Sequence, residues 1–292
     1  MRVVDTHLHM WDPWELEYTW LTGAMHARFA DEEVFAAQLQ GVEEEVSIFV
    51  QAGTTERAYL DEVAWVEEIA DAAGVVAIVA GASLDRWGET AAHLESLAAH
   101  ERVVGVRHLL QSEPDGFARR GAFIDGARQV AERGWTFDAC VRDRQLSDVT
   151  ALADAVPELR IVLDHLGKPA IGTAGAPQRP SAEWMRDLHG VAAQPLAHCK
   201  LSGLPGETAG VWTDAQVIPF LDVALEAFGP ERLMWGSDWP VSSIDTAAPA
   251  DRGYVGDARQ RWLQAVADWA DARGLDADAL FWSNALAFYG IR

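Results

Sequence analysis

Eight short runs rich in β-branched residues recur along the chain, at 2–5, 46–51, 75–80, 103–108, 135–139, 160–164, 197–201 and 232–235. Between them lie longer amphipathic stretches, at 31–42, 57–73, 89–100, 121–133, 145–156, 181–193, 214–228 and 257–273, with one more at 276–288. A period of two that switches repeatedly to a period near 3.6 marks βα units around a parallel sheet. Eight strands and eight helices predict a closed (β/α)₈ TIM barrel with an extra C-terminal helix. Gly41, Gly74, Gly134 and Gly229 each follow a helical pattern just ahead of the next strand, where a helix-ending glycine belongs. The competing fold is a doubly wound open sheet. No G-x-G-x-x-G follows the first strand, and polar clusters end many different strands, so the barrel is favoured.

The 292 residues suit one barrel, so a single domain over 1–292 is expected. Lys and Arg total 23 against 45 Asp and Glu, a net charge of -22 that repels phosphate backbones and anionic lipid surfaces. Nucleic acid and membrane are thereby excluded as partners, and a small molecule is expected. Association of identical chains stays open. Cys140 and Cys199 each sit in an apolar run, as buried thiols of a reducing compartment do. The opening residues show no signal-peptide pattern, and a cytoplasmic location is expected.

In a barrel, chemistry gathers at the C-terminal ends of the strands. The first strand runs into Asp5-Thr6-His7-Leu8-His9, where strand alternation puts both imidazoles on one face. Two such rings can share a divalent ion or polarise one substrate oxygen. Strand six ends in Asp164-His165-Leu166-Gly167-Lys168-Pro169, which brings an imidazole and an ammonium to the mouth. Alternation sends Asp164 to the face opposite His165. The eighth strand ends in Gly236-Ser237-Asp238-Trp239-Pro240, and a carboxylate there is placed to deprotonate a water. Asp238 alone reads more readily as a turn or cap residue, and the catalytic reading gains from His7 and His9 across the closure.

Arg107 and His108 end strand four, and Gln51 ends strand two, as candidate contacts to an ester or a hydroxyl. Arg142 and Arg144 read equally as ligand contacts or as surface partners of Asp138, Asp143 or Asp148. Of the 13 tryptophans, Trp20 and Trp239 lie nearest strand ends and could stack on a sugar ring. Residues 167–181, with three prolines, read as a loop over the site.

Taken in order, Asp5-Thr6-His7-Leu8-His9, Gly105-Val106-Arg107-His108, the Asp164 to Pro169 segment, Lys200-Leu201-Ser202-Gly203-Leu204 and Gly236 to Pro240 resemble the amidohydrolase superfamily. More narrowly, they resemble its branch of sugar lactonases such as fuconolactonase and rhamnonolactonase, with a pyrone dicarboxylate lactonase beside them. The match runs over nearly the whole chain. It implies a distorted barrel in which His7, His9, His165 and Asp238 line the site, Asp238 acts as general base and His165 joins it. The bridging Lys or Glu and the strand-five His of two-metal members are absent, since Arg107-His108 and Phe137-Asp138-Ala139-Cys140 stand there. At most one divalent ion, zinc by its donors, is therefore implied at His7, His9 and Asp238, with metal-free catalysis as the alternative and no organic cofactor. The expected substrate is a small aldonolactone, contacted by Arg107, His108, Gln51, Trp20, Lys168 and Trp239. A metal-dependent decarboxylase or amide hydrolase of the same superfamily is the second reading.

Overall fold

The computed structural model describes residues 1–208, 211–245 and 253–291. Eight parallel strands follow one another around a nearly closed barrel: β1 (Arg2–Leu8), β2 (Glu44–Val50), β3 (Val75–Gly81), β4 (Val103–His108), β5 (Thr136–Ala139), β6 (Arg160–Leu163), β9 (Ala197–Leu201) and β10 (Leu233–Trp235). A small antiparallel hairpin, β7 (Gly172–Thr173) with β8 (Ala176–Pro177), interrupts the sixth connection. It lies inside the segment expected to be plain loop.

Helices α1 (Asp31–Ala36), α2 (Tyr59–Ala73), α3 (Gly88–Leu97), α4 (Gly121–Glu132), α5 (Leu146–Ala155), α6 (Ala182–Ala192), α7 (Asp214–Phe228) and α8 (Ala258–Asp271) alternate with the strands. Gly74 ends α2 in the left-handed region, at φ 67°. A Cβ is disfavoured at that dihedral, which is why the helical pattern stops there. The expected first helix is shorter than its pattern, because Ala37 already leaves helical dihedrals. The last one divides into a π turn, Ala279–Ser283, followed by α9 (Asn284–Tyr289).

Strand residues sort by alternation into two apolar clusters. Val3, Phe49 and Ile78 join the large cluster shared with the helices. Val4, Ile48, Val50, Ala77 and Val79 join a small one completed by Trp282, Ala285, Phe288 and Tyr289 of the C-terminal segment. Strands buried on both faces are what a parallel barrel demands. The C-terminal helix covers that small cluster.

Closure depends on polar contacts, because β10 is only three residues long. His9 N–H donates to the Trp239 carbonyl and Asp238 N–H to the His7 carbonyl, both at 2.8 Å. Thr6 Oγ1 donates to the Trp235 carbonyl at 2.7 Å. Asp5 spans the seam, accepting from Ser237 N at 2.8 Å and from the Arg259 guanidinium of α8 at 2.8 Å. Arg259 also donates to Glu45 at 2.6 Å on the neighbouring β2.

Both Asp5 and Arg259 are buried, so removing one strands the other's charge. Arg259→Met should lower unfolding free energy by about 3–5 kcal/mol in urea titration. A loss below about 1 kcal/mol would show that closure does not rest on this pair.

Candidate active site

Four side chains converge at the C-terminal mouth of the seam. Asp238 Oδ1 lies 3.4 Å from His9 Nε2, 3.6 Å from His165 Nε2 and 3.8 Å from His7 Nε2. All four residues are at least nine-tenths buried. Asp238 adopts a left-handed dihedral, φ 56°, which turns its carboxylate inward beyond the end of β10. Its second oxygen accepts from Ser242 Oγ at 2.7 Å.

His9 Nδ1 meets the Val50 carbonyl at 2.7 Å. A carbonyl only accepts, so Nδ1 carries the proton and Nε2 turns a bare lone pair toward the Asp238 carboxylate. Two acceptors facing each other at 3.4 Å require a hydrogen donor or a cation between them. With donor bonds of about 2.0–2.1 Å, tetrahedral ligands stand roughly 3.3–3.5 Å apart, so the gaps fit one divalent ion as well as a water. His7, His9 and Asp238 form one such donor group, and His7, Asp164 and His165 form another.

His165 reaches this place through an unusual turn. His165, Leu166, Gly167 and Lys168 all have positive φ, between 51° and 71°. The three that are not glycine cost about 1 kcal/mol or more apiece, a strain that clusters at functional sites. The turn overrides strand alternation and corrects the expectation that Asp164 faces away from His165. Asp164 instead sits 3.2 Å from His7 Nδ1. Gly203 makes room for the imidazole, since a Cβ on it would fall 2.2 Å from His165 Nδ1. His165 Nδ1 hydrogen-bonds Ser202 Oγ at 2.9 Å.

Burial holds His165 neutral, lowering it to about 4, and it lowers His7 and His9 as well. Burial alone would raise Asp238, but His165, His9 and His7 outweigh it and hold the carboxyl well below its usual range. An anion beside neutral imidazoles is the state at neutral pH.

The mouth opens into a cavity of about 380 Å³, the size of a small ring. His9, Trp20, Arg107, His165, Lys168 and Asp238 line it, together with Cys140, Gly206 and Glu207. Trp20 presents its ring, its N–H being taken by the Ala52 carbonyl at 2.9 Å. Gln51, His108 and Trp239 stand behind this lining. Gln51 Oε1 accepts from Gly53 N, and the Gln51 carbonyl accepts from Arg107. His108 packs between Phe117 and Phe123. Trp239, fully buried against Phe29, donates to Tyr254 at 3.1 Å.

Sequence reasoning gave Lys200 no role in the site, although it opens one of the segments that carry the family resemblance. Lys200, fully buried, pairs with Asp138 and lies 3.1 Å from Asp164. A lysine inside a strand pattern was the available clue. Asp138 therefore serves the interior, and Arg142 pairs with Glu207 and Arg144 with Asp115, so of the two readings left open for these arginines the pairing one holds, with different carboxylates. The cysteines are free and buried, as expected. No helix among the described residues is long and apolar enough to cross a membrane.

A parallel barrel with three imidazoles facing one carboxylate at its C-terminal mouth is the arrangement of a barrel enzyme. The chain belongs to the amidohydrolase family, whose profile matches residues 4–291. It is 34% identical to an L-fucono-1,5-lactonase of Burkholderia multivorans over 93% of this chain and 92% of that one. An L-rhamnono-gamma-lactonase of Scheffersomyces stipitis is 27% identical over 65% of this chain and 59% of that one. An amidohydrolase crystal structure from Burkholderia multivorans with bound zinc superposes with a TM-score of 0.79 at 30% identity, covering 100% of both chains.

One buried carboxyl behind the cavity wall gives a pH signature. Glu62 accepts from Ala52 N at 3.1 Å, and burial raises it from 4.5 to about 8. Its raised folded-state value means that the stability of the neutral form is full below 4.5 and is lost as pH rises through about 8. Glu62→Gln should match wild type near pH 5 and exceed its Tm at pH 9 by at least about 3 °C, roughly 1 kcal/mol at this size. Equal melting curves at pH 9 would place a charged, compensated carboxylate there.

Proposed function

We propose that this protein hydrolyses a sugar lactone, opening a small aldonolactone by attack of water on the ester carbonyl with Asp238 as general base. The observation that carries the reading is the Asp238 carboxylate facing three imidazole nitrogens across 3.4–3.8 Å at the floor of a sugar-sized cavity. The names of the two lactonase relatives support the substrate class.

Asp238 is ionised and its second oxygen is held by Ser242, so Oδ1 is free to orient a water and take its proton. A carboxylate so far below neutral is a modest base. An ester carbonyl is a reactive acyl group, and a modest base is sufficient. Arg107, a permanent cation in the cavity wall, stabilises charge developing on the carbonyl oxygen where water is scarce. His165 is the group that returns a proton to the departing ring oxygen. Its neutral ring lies 3.6 Å from Asp238, close enough to exchange that proton through one water. Lys168 and the face of Trp20 bind the hydroxyls and C–H edges of the ring.

His7, His9 and Asp238 would hold one divalent ion, which leaves His165 to its proton, and the zinc in the related crystal structure supports that reading. Such an ion, when bound, polarises the lactone carbonyl as a Lewis acid.

The wild-type protein should release acid from L-fucono-, L-rhamnono- or galactonolactone in weakly buffered solution. Asp238→Asn should lose at least about 100-fold in kcat, within the usual range for a general base. Full activity in that variant would remove Asp238 from the role. Inert lactones together with CO₂ release from an aromatic acid would replace lactone hydrolysis with decarboxylation.

A further inference from the structure

Beneath the mouth, His7 is enclosed by Arg107, which the proposed reaction uses, and by Lys200 and Asp164, to which it gives no direct role. Lys200 Nζ lies 3.1 Å from His7 Nδ1, and Asp164 Oδ1 lies 3.2 Å from the same atom. Arg107 Nη1 lies 3.2 Å from His7 Nε2 and 3.3 Å from Asp164 Oδ2. Lys200 is held from below by Asp138, which in turn accepts from Tyr289 of the C-terminal helix at 3.0 Å. His7, Asp138, Asp164 and Lys200 are all fully buried.

Lys and Arg only donate, so the imidazole has a donor beside each nitrogen and a single proton to place. On Nε2 that proton would point at the Arg107 N–H, and the nearest acceptor, Asp238 Oδ1, is 3.8 Å away. On Nδ1 it reaches Asp164 Oδ1 at 3.2 Å, and Lys200, 3.1 Å from that same oxygen and paired with Asp138, donates to the carboxylates and not to the ring. Only the second placement gives the ring proton an acceptor within 3.2 Å and leaves Nε2 to accept from Arg107. We propose that Asp164 is a positioning residue: it takes the Nδ1 proton of His7 and so turns the Nε2 lone pair toward Arg107 and Asp238, while Lys200 and Arg107 hold its two oxygens. The effect is that the guanidinium is held at the cavity wall by an acceptor, and the same lone pair would serve a cation at Asp238 in place of the guanidinium. Carboxylates behind functional histidines commonly act this way.

The kinetic arm of the test rests on the proposed lactone hydrolysis, and the spectroscopic arm does not. In ¹⁵N-histidine-labelled protein, with His7 assigned by loss of its signals in His7→Gln, wild-type Nδ1 should carry the proton and Nε2 should not. Asp164→Asn keeps the shape. With its carbonyl oxygen drawn to Arg107, its amide N–H₂ faces Nδ1, which should move the proton to Nε2. That variant should lose at least tenfold, up to about 100-fold, in kcat, with KM changed less than about twofold. A proton on Nε2 in the wild type overturns the proposal. So does a variant that changes the tautomer without changing kcat, or kcat without the tautomer. If Asp164→Asn does not fold, the wild-type spectrum decides alone. If no lactone is turned over, the proposed function fails while the two spectra still decide this inference.

Discussion

The fold depends on joining its first strand to its last. A parallel barrel has no hairpin to fasten that seam, and β10 offers only three residues of ladder. Asp5 supplies the fastening, tying the backbone at Ser237 to β1 and to the guanidinium of Arg259. The same seam must present His7 and His9 from one strand end beside Asp238 from the other. The crossed hydrogen bonds, His9 N–H to Trp239 and Asp238 N–H to His7, fix their register to within a residue. Closure and site assembly are therefore one constraint, and a slip at the seam would undo both.

Around that seam the barrel interior departs from the usual apolar filling. Asp138, Asp164, Lys200 and Arg107 are buried together with opposite charges alternating among them. Buried ion pairs seldom stabilise a fold after desolvation is counted. Their value lies in fixing geometry and charge where water is excluded. Burial pushes Asp138 up to about 6 even with Lys200 opposing it, whereas Lys200, His7 and Arg107 overcome burial at Asp164 and hold it well below its usual range. The two carboxylates thus share one lysine unequally. The one nearer His7 keeps its charge.

Much of this was legible in the sequence because it follows from periodicity and local pattern. The eight strand runs alternating with helical stretches specified the barrel, and His7, His9, His165 and Asp238 fell at the ends of strands one, six and eight. Strand alternation failed at Asp164 because four consecutive positive φ values replace the pleat just where His165 begins, and a sequence pattern built on L-residue averages has no symbol for that. Gln51, His108 and Trp239 stand at strand ends as read, yet a position at a strand end does not say which way a side chain leaves it. Lys200, Asp138 and Tyr289 meet only because three distant elements converge on the barrel axis. Such long-range pairing is invisible until the fold brings it together.

A crystal structure with a lactam analogue of an aldonolactone, which keeps the ring and carbonyl but resists hydrolysis, tests the account most directly. The account places the carbonyl carbon within about 3.5 Å of a water or hydroxide held by Asp238 Oδ1, with the carbonyl oxygen turned to Arg107 and the ring against Trp20. A ring seated away from Asp238, in the neighbouring cavity lined by Pro169, Ile171 and Thr173, would contradict it.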